Sequence, residues 1–573
     1  MSKTALLTDG QYNAEANITL APKKVFAAMI KKQAFLLFTA FIIGYNYLHA
    51  RDIFLQYSFA RNDSASLTVT LSFNGNKTGR MSINLPDTWA GQAELYKAIT
   101  DLTSVSSQTT IKATQKPSQF LIEYKPGSTV KIKYILRKEW QGPLQYPFYF
   151  HPVIEKDFFY FEGFSGLIYP EISDSSKIEC SLSFNNLKPG EFVGTSYFSG
   201  KSSANFITTL NDLRNSIFCA GNYRYKEIVK HNNKIVIALS GKFIFDDEAV
   251  FTKLSDIISA EKKFWNDFTT PYFFSVLLPM DDQGNSGGTA HHNSFSLFQS
   301  KNLKLEQGLT YLISHEYFHN WIGQGLKMPE PEELYKWFQE GFTDYYSYKI
   351  LKLLNFYSEA EYTNKLNQII RDYYSSDYSE TPNEELIGNY WKDPALKQLS
   401  YQRGLIIAFL LEGYFQKIKK GTLDDLMKEL YNSSKPRMIF SKKLFDETVI
   451  KYANSDLLNL INNVNNGKNN DLSDVLKQSS NYIIKDLTLD KKFDLGFNLP
   501  ESSNDKKIVG LKSNSNAALA GLREGMEITG SFSIWNNNTE KPARVQVVIG
   551  GQKKWIEYIP VREVNIRVPQ IVL

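Results

Sequence analysis

Cysteine is scarce: the 573 residues hold two, Cys180 and Cys219. A scaffold stapled by several disulfides and a multi-cysteine zinc framework are both excluded. One bridge is the most that can form, and two buried thiols are the alternative. Histidine is sparse too, with seven residues, so a metal site built on imidazoles has few positions to draw on. Charge of one sign is lacking: 65 Lys plus Arg face 60 Asp plus Glu, a net +5 with no long basic block, which argues against a nucleic-acid surface. No uncharged apolar run reaches the roughly 20 residues that span a bilayer. Against these absences stand 42% apolar and 14% aromatic residues, enough to bury several cores across about three to five domains.

The longest apolar run, Ala34 to Tyr45, follows Lys31 and Lys32 and precedes Ala50. A basic start, a short apolar stretch and a small residue at the end are the three parts of a secretory signal, with Met29 as an alternative start. The expectation is a leader at 1–50 and a periplasmic or secreted protein, with membrane contact only if the leader is uncleaved. A cytosolic protein with an accidental apolar leader is the competing reading.

Residues 51–228 read as β-rich. Stretches such as Ser66–Phe73, Thr129–Leu136 and Phe158–Phe164 alternate or run apolar between Gly, Pro, Asn and Asp turns, as sandwich strands do. In 229–484 two strand patterns (234–240 and 272–278) flank a helical one (247–265), and long helical periodicities then run from 303 to 470. Residues 485–573 return to short strands. The expected fold is a multidomain α+β protein with a sandwich-like N-terminal domain, an α/β domain with a helical part, and a small C-terminal β domain.

The chemistry is carried by His315-Glu316-Tyr317-Phe318-His319. Histidines four apart share one helix face, so both imidazoles reach a single ion while Glu316 stands beside them. A catalytic zinc takes three protein ligands and leaves one position to water. The third-ligand candidate is Glu340, twenty-one positions on, in the apolar context Trp337-Phe338-Gln339-Glu340-Gly341-Phe342, where an unpaired carboxylate would be expensive. Glu316 then takes a proton from water and passes it to a leaving amine, and Tyr401 is a candidate donor to the oxyanion. The predicted reaction is amide hydrolysis with one zinc ion.

Three motifs in order, Gly287–Ser294, HEYFHNW and WFQEGFTDYY, resemble the gluzincin peptidases, above all the glycyl aminopeptidase family, with the membrane-alanyl aminopeptidases as more distant relatives. The resemblance implies a thermolysin-like catalytic domain, metal ligands His315, His319 and Glu340, the general base Glu316, and a transition-state tyrosine at Tyr401 with Gly404 three residues on. It also implies that Gly287, Gly288 and His291 lie on a substrate-binding edge strand, with His292 beside them. One position departs: Ala290 stands where relatives carry the acid that meets a free α-amine, so an endopeptidase competes with an aminopeptidase. Phe493–Phe497 and Ala517–Ile528 resemble a PDZ domain, which implies a possible peptide-tail partner besides the peptide or protein substrate. A peptide-binding or chaperone-like protein with a structural zinc is the alternative from another class.

Overall fold

The computed structural model describes residues 53–573 apart from 90, 146–147, 231–232, 282–285, 306–307, 436, 469–471, 480–481 and 536–537. The expected leader lies outside the described residues. Among those described, no helix is long and apolar enough to cross a membrane.

The N-terminal domain is built of three sheets. In the six-stranded one, Ile53–Asn62 pairs antiparallel with Ser66–Asn74 and parallel with Lys177–Asn185. The alternation read in the sequence is the alternation of burial: in Thr129–Arg137, Val130, Ile132, Tyr134 and Leu136 face the core while the lysines between them face out. Cys180 lies in Lys177–Asn185 and Cys219 in Ile217–Gly221, both fully buried and both free. They form no bridge, and burial pushes both thiols up.

The second domain centres on a five-stranded sheet whose strands are β1 (Arg224–Lys230), β2 (Asn233–Leu239), β3 (Tyr272–Met280), β4 (Ser286–His291) and β5 (Ser294–Ser300), in the order β1-β2-β3-β5-β4. β1 spans the expected boundary at 228 and pairs along its length with β2, so it joins this sheet. β4 is an edge strand, antiparallel to β5. Helices α1 (Asp247–Trp265) and α2 (Leu309–Phe318) pack on one face through Leu254, Ile258, Ile313 and Tyr317. The helical part follows, with α3 (Thr343–Leu353), α4 (Glu359–Ser375) and α5 (Pro394–Ile418) in the same continuous core.

The C-terminal segment does not fold as one detached unit. Ile483–Phe493 and Val561–Val572 form a two-stranded ribbon that docks on α4, where Asn367 exchanges two hydrogen bonds with the Ile571 backbone at 2.8 and 2.9 Å. Between the ribbon strands lies a small module with its own core, including Phe497, Ile508, Leu522 and Val545. It holds a short helix, Asn516–Leu519, and a strand, Ile528–Ser533. The segment after Phe497 differs: Pro500 and the Asn498 cap start a helix, Leu499–Asp505, where a peptide-docking PDZ groove needs a strand. Among the described residues between Ser533 and Ala543 no helix forms to wall such a groove.

Candidate metal centre and active site

α2 carries His315, and His319 follows directly at its C-cap, one turn on. Glu340 comes from a π-helical turn, Trp337–Phe342, immediately before α3; such wide turns are frequent at functional sites. Two glycines set this turn against α5. A β-carbon on Gly404 would overlap the Trp337 carbonyl, and one on Gly341 would overlap Gly404. The close crossing brings Tyr401, one turn before Gly404, over the metal helix, its ring parallel to that of His315 with centroids 5.9 Å apart.

The three donor atoms converge. His315 Nε2 and His319 Nε2 are 3.0 Å apart, and Glu340 Oε2 lies 3.5 and 3.4 Å from them. Tetrahedral ligands at zinc bond lengths of about 2.0–2.1 Å sit roughly 3.3 Å from one another, so the triangle has the size for one zinc ion. These three residues are the ones among the described residues whose ligand atoms cluster for a metal.

The imidazoles are pre-set as ligands. His315 Nδ1 faces Asp344 Oδ1 at 2.8 Å and His319 Nδ1 faces the Ile322 carbonyl at 2.9 Å. Both Nδ1 atoms therefore donate, and both Nε2 lone pairs point at the shared position. Burial alone would push the Glu340 carboxyl up, but the two imidazoles and Lys336, 3.9 Å from Oε1, hold it well below the usual carboxylate range. Without an ion, burial opposes the charged form of His315, yet hydrogen bonds to Asp344 and Glu340 raise it well above the usual value, so a metal binds there by displacing the Nε2 proton.

Glu316 is half-buried on the same helix, and its Cγ lies 3.4 Å from where a β-carbon on Gly288 would stand. The edge strand and the candidate base are thus adjacent, and a side chain at Gly288 would narrow that gap. Gly287 faces the Tyr149 ring on the opposite side of β4. Tyr401 hydrogen-bonds to Tyr390, and burial raises both phenols so that they remain protonated donors.

His291 is a correction. Its ring is fully buried and turned toward the N-terminal domain, with Nδ1 3.1 Å from Asn215 Oδ1 and Nε2 3.1 Å from Ser296 Oγ and 3.2 Å from Glu162 Oε1. Side chains alternate along a strand, so with Gly288 and Ala290 facing α2, His291 faces away from the substrate edge. Glu162 also accepts from Trp89 Nε1 at 2.9 Å and from Tyr160 at 2.8 Å, and it has no exposed surface. His292 is half-buried, 3.8 Å from Asp212, and burial lowers it.

Asp344, Tyr390 and Lys336 are the site residues that sequence reasoning missed. Asp344 had a signal, since it follows Glu340 by four positions on the same helical face; Tyr390, on the loop before α5, had none. A fourth, Glu261 of α1, is buried without exposure behind α2, with Oε1 accepting from Ser314 at 2.7 Å and Oε2 unpartnered. Burial pushes its carboxyl well up.

Two imidazoles and one carboxylate that could hold a metal ion thus converge beside an edge strand, on a sheet covered by helices. Residues 255–490 match the Peptidase family M1 domain. The fold over 90% of this chain is similar to 98% of an aminopeptidase N family protein from Idiomarina loihiensis, with a TM-score of 0.68 and 16% identity. An M1 zinc metallopeptidase from Deinococcus radiodurans shows a weaker likeness, at TM-score 0.44 and 11% identity over 73% of this chain and 94% of that one. No curated protein matches the chain.

Proposed function

We propose that the protein is a zinc-dependent metallopeptidase in which His315, His319 and Glu340 hold one ion. The observation that carries the reading is the convergence of the two Nε2 atoms and one carboxylate oxygen, with both Nδ1 atoms already held by acceptors. Zinc, when bound, polarises a carbonyl and lowers the pKa of water. Glu316 takes the proton of the attacking water and delivers it to the leaving amine. The Tyr401 phenol, kept protonated by burial, donates to the oxyanion. Gly287 and Gly288 present strand backbone to an extended peptide.

The resemblance to glycyl and alanyl aminopeptidases favours action at free amino ends. A second reading, cleavage of internal bonds, is favoured by Ala290 and by the complete burial of Glu162, because a desolvated ammonium without a counter-charge costs several kcal/mol. Export through the leader at 1–50, to the periplasm or as a secreted protein, belongs to the proposal. A peptide-docking role for the C-terminal module does not, since Leu499–Asp505 is a helix. Stripping metal with a chelator should abolish peptide hydrolysis and added zinc should restore it; unchanged cleavage by Glu316→Gln would reject the mechanism.

A further inference from the structure

We infer that a polar cavity at the far end of β4 receives the part of a peptide lying N-terminal to the cleaved bond, so that the preferred substrate is an extended peptide cut internally. The inference rests on the peptidase reading and names its substrate class.

The cavity measures about 450 Å³ and opens where β4 ends. One wall is the turn His292–Asn293, a second is Asn320, Gly323 and Gln324 just beyond the metal ligand His319, and Asn211 of the N-terminal domain lies across from them. The turn is fixed in place, because the His292 N–H donates to the Asn215 carbonyl at 2.8 Å. The amides of Asn211, Asn320 and Gln324 offer both donors and acceptors to a peptide backbone, and they stand beside the charged Asp212, Lys262, Asp267, Lys327 and Glu332 of the same lining.

Position along the strand sets the register. Gly288 stands beside Glu316, and His292 is four residues further on, about 13 Å at roughly 3.3 Å per residue. A peptide added antiparallel to the open edge of β4 runs its N-terminal part toward His292. The cavity therefore meets the peptide some three to four residues before the scissile bond. Nothing on β4 stops such an extension: Ala290 ends in a methyl group, and Glu162 is buried beneath other donors.

The test uses the full zinc-loaded chain and N-acetylated peptides that share one cleavable bond and one C-terminal half, with zero to five added residues on the N-terminal side. kcat/KM should rise about tenfold over the first three or four additions, the scale of two or three backbone hydrogen bonds, and then level off. Gln324→Trp and Asn211→Trp fill the cavity from opposite walls. In either, checked for bound zinc and an unchanged melting temperature, the ratio of longest to shortest peptide should fall toward one. Two independent walls keep the test open if one variant misfolds. A flat length dependence, a gain that survives both variants, or cleavage confined to free amino ends would overturn the inference. In that last case hydrolysis itself stands and the peptidase reading survives; no hydrolysis of any peptide, free or acetylated, removes both.

Discussion

His315 Nδ1 and Asp344 Oδ1 lie 2.8 Å apart, and the same carboxylate oxygen also accepts the Tyr311 hydroxyl. The contact fixes the tautomer of one ligand and ties the metal helix α2 to α3, the helix that follows Glu340. Asp344→Asn keeps the shape but weakens the acceptor. Zinc affinity, measured by competition with a chromophoric chelator, should fall about 10–100-fold, with little change in secondary structure by circular dichroism. Unaltered affinity would show that the contact merely packs.

Tyr401→Phe removes one hydroxyl and leaves the ring over His315. kcat should drop about 10²–10³-fold with a much smaller change in KM, as expected for a donor whose partner develops charge late. Bound zinc should stay at the wild-type level by metal analysis. A loss confined to KM would mean that Tyr401 only binds substrate.

Gly404→Ala places a methyl group where the Trp337 carbonyl stands. The crossing of α5 and the π-helical turn would have to open, at a cost of about 1–3 kcal/mol. A lower melting temperature accompanied by weaker zinc binding is expected, since the same turn carries Glu340. Wild-type values for both would show that the crossing is slack.

Glu261 gives a pH dependence of definite sign. Its carboxyl is raised by burial, so the folded chain keeps a proton that the unfolded chain releases above about pH 4.3. The contribution is fully present below that value and is lost as pH rises through the higher folded pKa. Glu261→Gln retains an acceptor for Ser314 and removes the titration. Melting temperatures across pH 4–9 should show the variant gaining on the wild type as pH rises; parallel curves would contradict the assignment.

The metal site was legible because its chemistry sits at helical spacing: His315, Glu316 and His319 lie within one turn or so, and Glu340 stands in an apolar context that demands a partner. Period-two alternation in Thr129–Arg137 gave the N-terminal sheets for the same reason. What was not legible depends on long-range facing. His291 reads like its neighbours, yet strand alternation turns it onto Asn215 and Glu162, residues 76 and 129 positions earlier. Tyr390 meets Tyr401 only through a loop path, and the helix after Phe497 follows from an Asn cap and a proline that a likeness to PDZ sequences obscured.

The central claim is that one ion is held by His315, His319 and Glu340. Anomalous diffraction on crystals of the zinc-loaded protein, collected on both sides of the zinc absorption edge, tests it most directly. One peak equidistant from the two Nε2 atoms and Glu340 Oε2, lost in Glu340→Ala, is the predicted result; no peak there, or a zinc held by other residues while peptide hydrolysis persists, would contradict it.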